Sequence, residues 1–163
     1  MPMPRRPYLT SRASAAFALA HDLADRLGHD TIAADHLALG VLHHGKNLAV
    51  AALHNRRVPL ATLVRDLEAT LPPPGSPKPL KADRDWTPAD EALIKQAEAE
   101  AAQLDTPFYA CEHLLLVALR DASGGPARAL ALHGLGVDEM QAEVRRIYAS
   151  LAAGGPAIDP PAV

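Results

Sequence analysis

Three groups of residues have types and spacing that could do chemistry. The stretch Gly40-Val41-Leu42-His43-His44-Gly45-Lys46-Asn47 comes within one residue of the phosphate-binding pattern Gly-x-x-x-x-Gly-Lys-(Ser/Thr), with Asn47 where the magnesium-binding hydroxyl belongs. Asp35-His36 and Glu112-His113 pair a carboxylate with an imidazole twice in one chain. Brought together, two imidazoles and two carboxylates could hold a metal ion that activates water, which would make the protein a hydrolase. Cys111 is the lone cysteine, which excludes an internal disulfide and fits a reducing compartment.

Each reading depends on the elements that would carry these residues. A phosphate loop needs a strand before it and a helix after it. Alanine and leucine dominate the 163 residues, aromatics make up only 4%, and no segment alternates as a strand does. Gly40 therefore falls within or at the end of a helix. Gly45 reads as a helix-terminating residue with Lys46 near the negative helix end, and the nucleotide-hydrolase reading fails. Adjacent helical residues diverge by about 100°. Asp35 and His36 therefore do not readily share one ion, and no metal or other cofactor is expected. Acids at a helix start are stabilising without any ligand, and the two histidines precede apolar runs as packed, hydrogen-bonded residues do.

The strongest break in the chain is Pro72–Asp85, with five prolines and a glycine followed by charges. It reads as an extended linker between two similar parts. Thr10 aligns with Thr87, Ala20 with Ala97, Leu27 with Leu104 and Asp35-His36-Leu37 with Glu112-His113-Leu114, all at an offset of 77. Beyond Ser123–Gly125 a two-residue insertion brings Leu53-His54 onto Leu132-His133. Thr10 and Thr87 read as N-caps, and Pro88 suits a first helical position. Each part reads as four helices. These lie near Ala34–His43, Leu48–His54 and Pro59–Leu71 after the first in one part, and near Cys111–Asp121, Ala127–His133 and Asp138–Leu151 in the other. The expected architecture is all-α, two pseudo-twofold-related four-helix repeats with about eight helices. The expected domain spans 8–152: repeat one 8–71, linker 72–85, repeat two 86–152, then a flexible tail at 153–163.

The net charge of −3 leaves no basic patch of the size nucleic-acid binding needs. No apolar run reaches membrane-spanning length. Met1–Thr10 has arginines but no apolar stretch behind them, so it does not read as a signal peptide, and a cytoplasmic location is expected. Tyr8-Leu9 and Trp86 precede equivalent helices. They read either as core residues or hydrophobic staples, or as walls of an apolar groove for peptides, core or staple being favoured.

The cap threonine, the alanine-rich helix, "RLGH", an acid followed by "HLALGVL" or "HLLLVAL", and "ALHGLGV" together resemble the N-terminal domain of the Clp ATPases. These are the unfolding chaperones that feed the Clp protease. The resemblance covers about residues 8–152 and recurs in both halves. It implies a double four-helix repeat that docks substrates and adaptor proteins without chemistry of its own, here as a stand-alone protein or a piece of a longer one. It also implies phosphoarginine as a ligand, with Asp35 and Glu112 holding the guanidinium. A forked carboxylate–guanidinium pair suits that role. Ala34 and Cys111 stand where the family commonly has threonine. The resemblance further implies proteins, peptides or a Clp ATPase as partners, and cyclic-peptide antibiotics as ligands. Leu9 and Trp86 are the candidate apolar contacts. The competing readings are the metal-dependent hydrolase and a purely architectural partner of a Clp ATPase.

Overall fold

A computed structural model of the chain describes residues 6–81 and 83–154. Among them are eight helices: α1 (Ser11–Arg26), α2 (Ala34–His44), α3 (Leu48–Asn55), α4 (Leu60–Ala69), α5 (Pro88–Leu104), α6 (Cys111–Leu119), α7 (Gly125–Ala131) and α8 (Val137–Ala152). From residue 155 onward, the expected tail lies outside the described residues. The two threonines act as read. Thr10 Oγ1 accepts from the Ala13 N–H at 3.2 Å, and Thr87 Oγ1 accepts from the Asp90 N–H at 3.1 Å. Asp90 returns a bond to the Thr87 N–H at 2.9 Å, completing a capping box at the start of α5.

The helices pair as a twofold arrangement requires. α2 and α6, apolar on nearly every face, pack against each other at the middle. Around them the outer helices cross between repeats, α3 against α8 and α4 against α7. Corresponding helices begin at Ser11 and Pro88, Ala34 and Cys111, Leu48 and Gly125, Leu60 and Val137, so every pair is 77 residues apart. The two-residue insertion is therefore absent. Buried Leu53 corresponds to buried Leu130, whereas Leu132, its expected mate, is 74% exposed. Arg57 corresponds to Gly134, and both have positive φ, at 60° and 74°.

The phosphate-loop residues are structural. Gly40 lies inside α2, and a Cβ there would stand 2.3 Å from the carbonyl oxygen of Ala16 in α1. Gly45, at φ 77°, ends α2. Asn47 is the N-cap of α3: its Oδ1 accepts from the Val50 N–H at 3.0 Å, and its Nδ2 donates to the Val41 carbonyl at 2.9 Å. Asn47 is 2% exposed, so one side chain closes the end of α2 and opens α3. Asn47→Ala removes the cap of the buried Val50 N–H and one of the two bonds to the Val41 carbonyl, and should cost about 2 kcal/mol in urea unfolding. Lys46→Ala, next to it and exposed, should change stability by less than about 0.5 kcal/mol.

Residues 72–81 form an extended strap held along the C-terminal end of α1. The Gly75 N–H donates to the Leu27 carbonyl at 2.7 Å, and the Lys78 N–H donates to the Asp25 carbonyl at 2.8 Å. The strap thus satisfies the Leu27 carbonyl that the helix end leaves free and adds a second donor to the Asp25 carbonyl, which already accepts from the Gly28 N–H. Further along, Arg84 reaches Asp22 at 2.7 Å and Asp25 at 2.9 Å. Gly28, at φ 70°, lies so close to the strap that a Cβ would meet the Ser76 oxygen at 2.3 Å.

Candidate functional site

α2 and α6 begin on alanine, Ala33 and Ala110, whose side chains cannot cap. The third helical residue supplies the bond instead. The Ala33 N–H donates to His36 Nδ1 and the Ala110 N–H to His113 Nδ1, both at 2.9 Å. An accepting Nδ1 places the proton of the neutral ring on Nε2. His36 Nε2 then donates to His29 Nδ1 at 2.8 Å, and His29 Nε2 to the Pro73 carbonyl at 3.2 Å. In the second repeat His113 Nε2 donates to Thr106 Oγ1 at 2.8 Å, and that hydroxyl donates to the Phe108 carbonyl at 3.1 Å. Burial pushes the pKa of His36 below the usual imidazole range and that of His113 down to about 4. All four nitrogens of His36 and His113 are committed to these bonds. Among the described residues no three His, Cys, Asp or Glu side chains converge as a metal site would require. Cys111 is 1% exposed, and burial pushes its thiol up to about 12, far from a reactive thiolate.

Asp35 and Glu112 occupy equivalent helix positions but different surroundings. Asp35 is half-buried. Its Oδ2 lies 3.3 Å from the Thr70 hydroxyl, which also faces the Leu67 carbonyl at 2.7 Å. A Cβ on Gly125 would stand 2.6 Å from the same carboxylate oxygen, so α7 starts directly against it. Glu112 is 4% exposed, and the hydroxyl of Tyr148 on α8 donates to its Oε2. Burial raises the Glu112 pKa despite that bond. Tyr148 stands 77 residues after Leu71, so repeat one has no hydroxyl at the matching position. The expected pair of equivalent carboxylates is one accessible acid and one sealed acid.

Leu9 and Trp86 do not form staples, because the helical positions they would meet are Ser14 and Glu91. Leu9, 7% exposed, instead makes a parallel bridge to Tyr109. The Tyr109 N–H donates to the Tyr8 carbonyl at 2.7 Å, and the Thr10 N–H to the Tyr109 carbonyl at 3.0 Å. This ties the start of α1 to the approach to α6. Trp86 is half-buried, with its ring edge-on to Phe17 of α1 at 5.3 Å. The Arg6 guanidinium lies 5.0 Å from the indole centroid and pairs with Glu91. Two grooves flank α5 here. One, about 140 Å³, has Tyr8, Leu9, Ile94, Glu98 and Tyr109 among its walls. The other, about 500 Å³ and more open, is lined by Trp86, Thr87, Pro88, Glu91, Ala92 and Lys95. Arg6 stands between them, lining the first and touching Trp86 and Glu91 of the second. Leu9 and Trp86 thus share a face, whereas Asp35 and Glu112 line neither groove. Arg6 and Tyr148 were not singled out in the sequence. Their contacts come from distant segments, and no local spacing announces them.

Comparison with known proteins agrees with this architecture. The chain is 27% identical over 141 residues to the chaperone protein ClpB of Oceanobacillus iheyensis, which covers 86% of this chain and 17% of that protein. It is 28% identical over 148 residues to the negative regulator of genetic competence ClpC/MecB of Bacillus subtilis, covering 91% and 18%. The chain therefore spans less than a fifth of the length of these curated relatives. The crystal structure of the Hsp104 N-terminal domain from Candida albicans superposes with a TM-score of 0.65 at 17% identity, covering 93% of this chain and 95% of that one. The family of the Clp repeat (R) N-terminal domain matches residues 8–153, nearly the whole double repeat. On that match, with both halves built on the same four helices, this chain belongs to the Clp repeat N-terminal domain family.

Proposed function

We propose that the protein is a docking module of the Clp chaperone–protease system that binds protein segments at equilibrium, without turnover. The observation that supports this most is the α5 face. Two adjacent grooves there are walled by Leu9 and Trp86, bordered by Glu91 and Glu98, and overhung by Tyr8, which is 61% exposed. Aromatic anchors beside charged rims suit an extended peptide with one or two apolar side chains. Substrate segments, adaptor tails and cyclic peptides of the antibiotic type share that chemistry.

The guanidinium of a phosphoarginine is the second ligand class. Asp35, half-buried beside a threonine hydroxyl, can offer it a forked pair of bonds. Glu112 can do so only by displacing Tyr148, so this ligand rests on Asp35 alone.

Trp86 is the only tryptophan, so its fluorescence reports directly on the larger groove. An aromatic-anchored, lysine-containing peptide should shift that fluorescence saturably. Tyr8→Ala should weaken binding about tenfold, and Asp35→Asn should leave it unchanged. Absence of a saturable shift, or loss on Asp35→Asn with none on Tyr8→Ala, would move the site off α5. Parallel titration with phosphoarginine and arginine tests the second class. A preference for the phosphorylated form that disappears in Asp35→Ala supports it, and equal weak binding of both removes it.

A further inference from the structure

We propose that the His29–His36 pair is a proton-operated release on the cap of α2, built into the first repeat and absent from the second. The neutral relay runs in one direction: Ala33 N–H to His36 Nδ1, His36 Nε2–H to His29 Nδ1, His29 Nε2–H to the Pro73 carbonyl. Every nitrogen in it has an assigned role. A proton arriving on neutral His29 can occupy only Nδ1, the atom that accepts from His36. Two N–H groups would then face each other across 2.8 Å. The conflict is relieved if His36 moves its own proton from Nε2 to Nδ1, but Nδ1 is the atom that caps Ala33. Either way one proton is taken up from solvent and one hydrogen bond of the relay is lost. With an alanine N-cap, no side chain stands in reserve for the Ala33 N–H.

The charges around the pair are few. α1 contributes His21, which is held by both oxygens of Asp90 on α5 at 2.9 and 3.0 Å. α2 contributes Asp35. The turn contributes Asp30, whose carboxylate is bound to Lys78 of the strap at 2.7 Å. The carboxylate nearest the turn is thus already paired with a cation.

The second repeat is the internal control. Thr106 stands 77 residues after His29 and accepts from His113 in the same way. A hydroxyl accepts and donates at once and does not ionise, so the relay at α6 has no second titrating member. Burial holds His113 itself neutral until the pH approaches 4. A proton that enters the first relay should therefore cost α2 its cap, while α6 keeps its own. The release lies one residue from Asp35, so it loosens the start of α2 that carries this acid, while the His29 bond to the Pro73 carbonyl is kept.

Amide hydrogen exchange by NMR on the intact chain between pH 7.5 and 5.5, corrected for intrinsic rates, tests this. Protection of the Ala33 amide should fall about tenfold while that of Ala110 stays constant. His29→Thr, which copies the second repeat, should abolish the fall. Equal behaviour of the two amides, or a fall that persists in His29→Thr, overturns the proposal. The imidazole nitrogen shifts of the unsubstituted protein give an independent reading. His36 should leave its Nε2–H form as the relay takes up its proton, and a His36 that keeps it throughout overturns the proposal as well.

Discussion

Gly40→Ala should destabilise the protein by about 3 kcal/mol, although alanine is the better helix former by about 1 kcal/mol. The reason lies across the helix pair. A Cβ at Gly40 would stand 2.3 Å from the Ala16 carbonyl oxygen and 3.1 Å from the Ala20 nitrogen. Both are backbone atoms of α1 that no rotamer change can withdraw. α1 and α2 would have to move apart, opening a seam lined by Ala16, Ala20 and Leu37, all fully buried. The second repeat shows the alternative. Val117 occupies the position equivalent to Gly40, and α6 does not approach α5 as α2 approaches α1. Gly134→Ala is the matched control. Its φ of 74° disfavours alanine, but a Cβ there meets nothing within 4 Å. That change should cost only about 1 kcal/mol. Urea midpoints of the two variants decide the matter: if Gly40→Ala is no worse than Gly134→Ala, close helix contact is not the role of Gly40.

Gly40 also shows where sequence reasoning stopped. Its place inside a helix was legible from the missing strand and the apolar period. Its partner was not, because a close approach joins residues of two elements and leaves no mark in either alone. Helix starts were legible wherever a local device encodes them. Thr10, Thr87 and Asn47 each cap with their own side chain; the first two are legible because they open the repeat at equivalent positions, whereas Asn47 also completes a near-match to a phosphate loop and has Gly124 at the equivalent position. The false insertion has a different origin. Matching Leu53-His54 to Leu132-His133 relied on residue identity, but the fold fixes register by burial and backbone sign. Leu53 and Leu130 enter the core, and Arg57 and Gly134 both take positive φ three residues before the next helix. An arginine where a glycine would be easier hides that equivalence from any comparison of letters.

The candidate site was legible in type more than in arrangement. Asp35 and Glu112 sit at equivalent helix starts, as the repeat demands. What separates them is Tyr148 against Leu71, a difference on the fourth helix of each repeat that matters only once α8 packs on α6. The two aromatic-bearing approaches to α1 and α5 were legible, and Leu9 enters the core with Trp86 packed against it, as a core role requires, but neither forms a staple. A staple needs an apolar partner four positions into the helix, and Ser14 and Glu91 were readable as polar. That leaves the Leu9 bridge to Tyr109 and the Trp86 contact with Phe17 as tertiary choices.

The buried histidine of the second repeat should make the protein lose stability in acid. His113 is 0% exposed, and burial lowers its pKa from the usual 6.5 to about 4. The unfolded chain therefore binds a proton at a higher pH than the folded one. The stability this ring contributes is fully present above about pH 6.5 and is lost as the pH falls toward 4, levelling off below. The shift corresponds to about 3 kcal/mol in all, of which about 2 kcal/mol should be gone between pH 7 and pH 4.5. His36, lowered by burial and by His29, acts in the same direction. Glu112 opposes them: its raised pKa means that protonation on acidification relieves a buried carboxylate. The measurement must therefore isolate His113. His113→Gln does so, because glutamine at the third helical position can still accept from the Ala110 N–H without titrating. The variant should be less stable than the parent at pH 7, having lost a packed ring against Phe108. Its own loss between pH 7 and pH 4.5 should be smaller than the parent's by about 2 kcal/mol in urea unfolding. If the two proteins weaken in parallel across that range, His113 is not held neutral by its burial, and the acid sensitivity belongs to other groups.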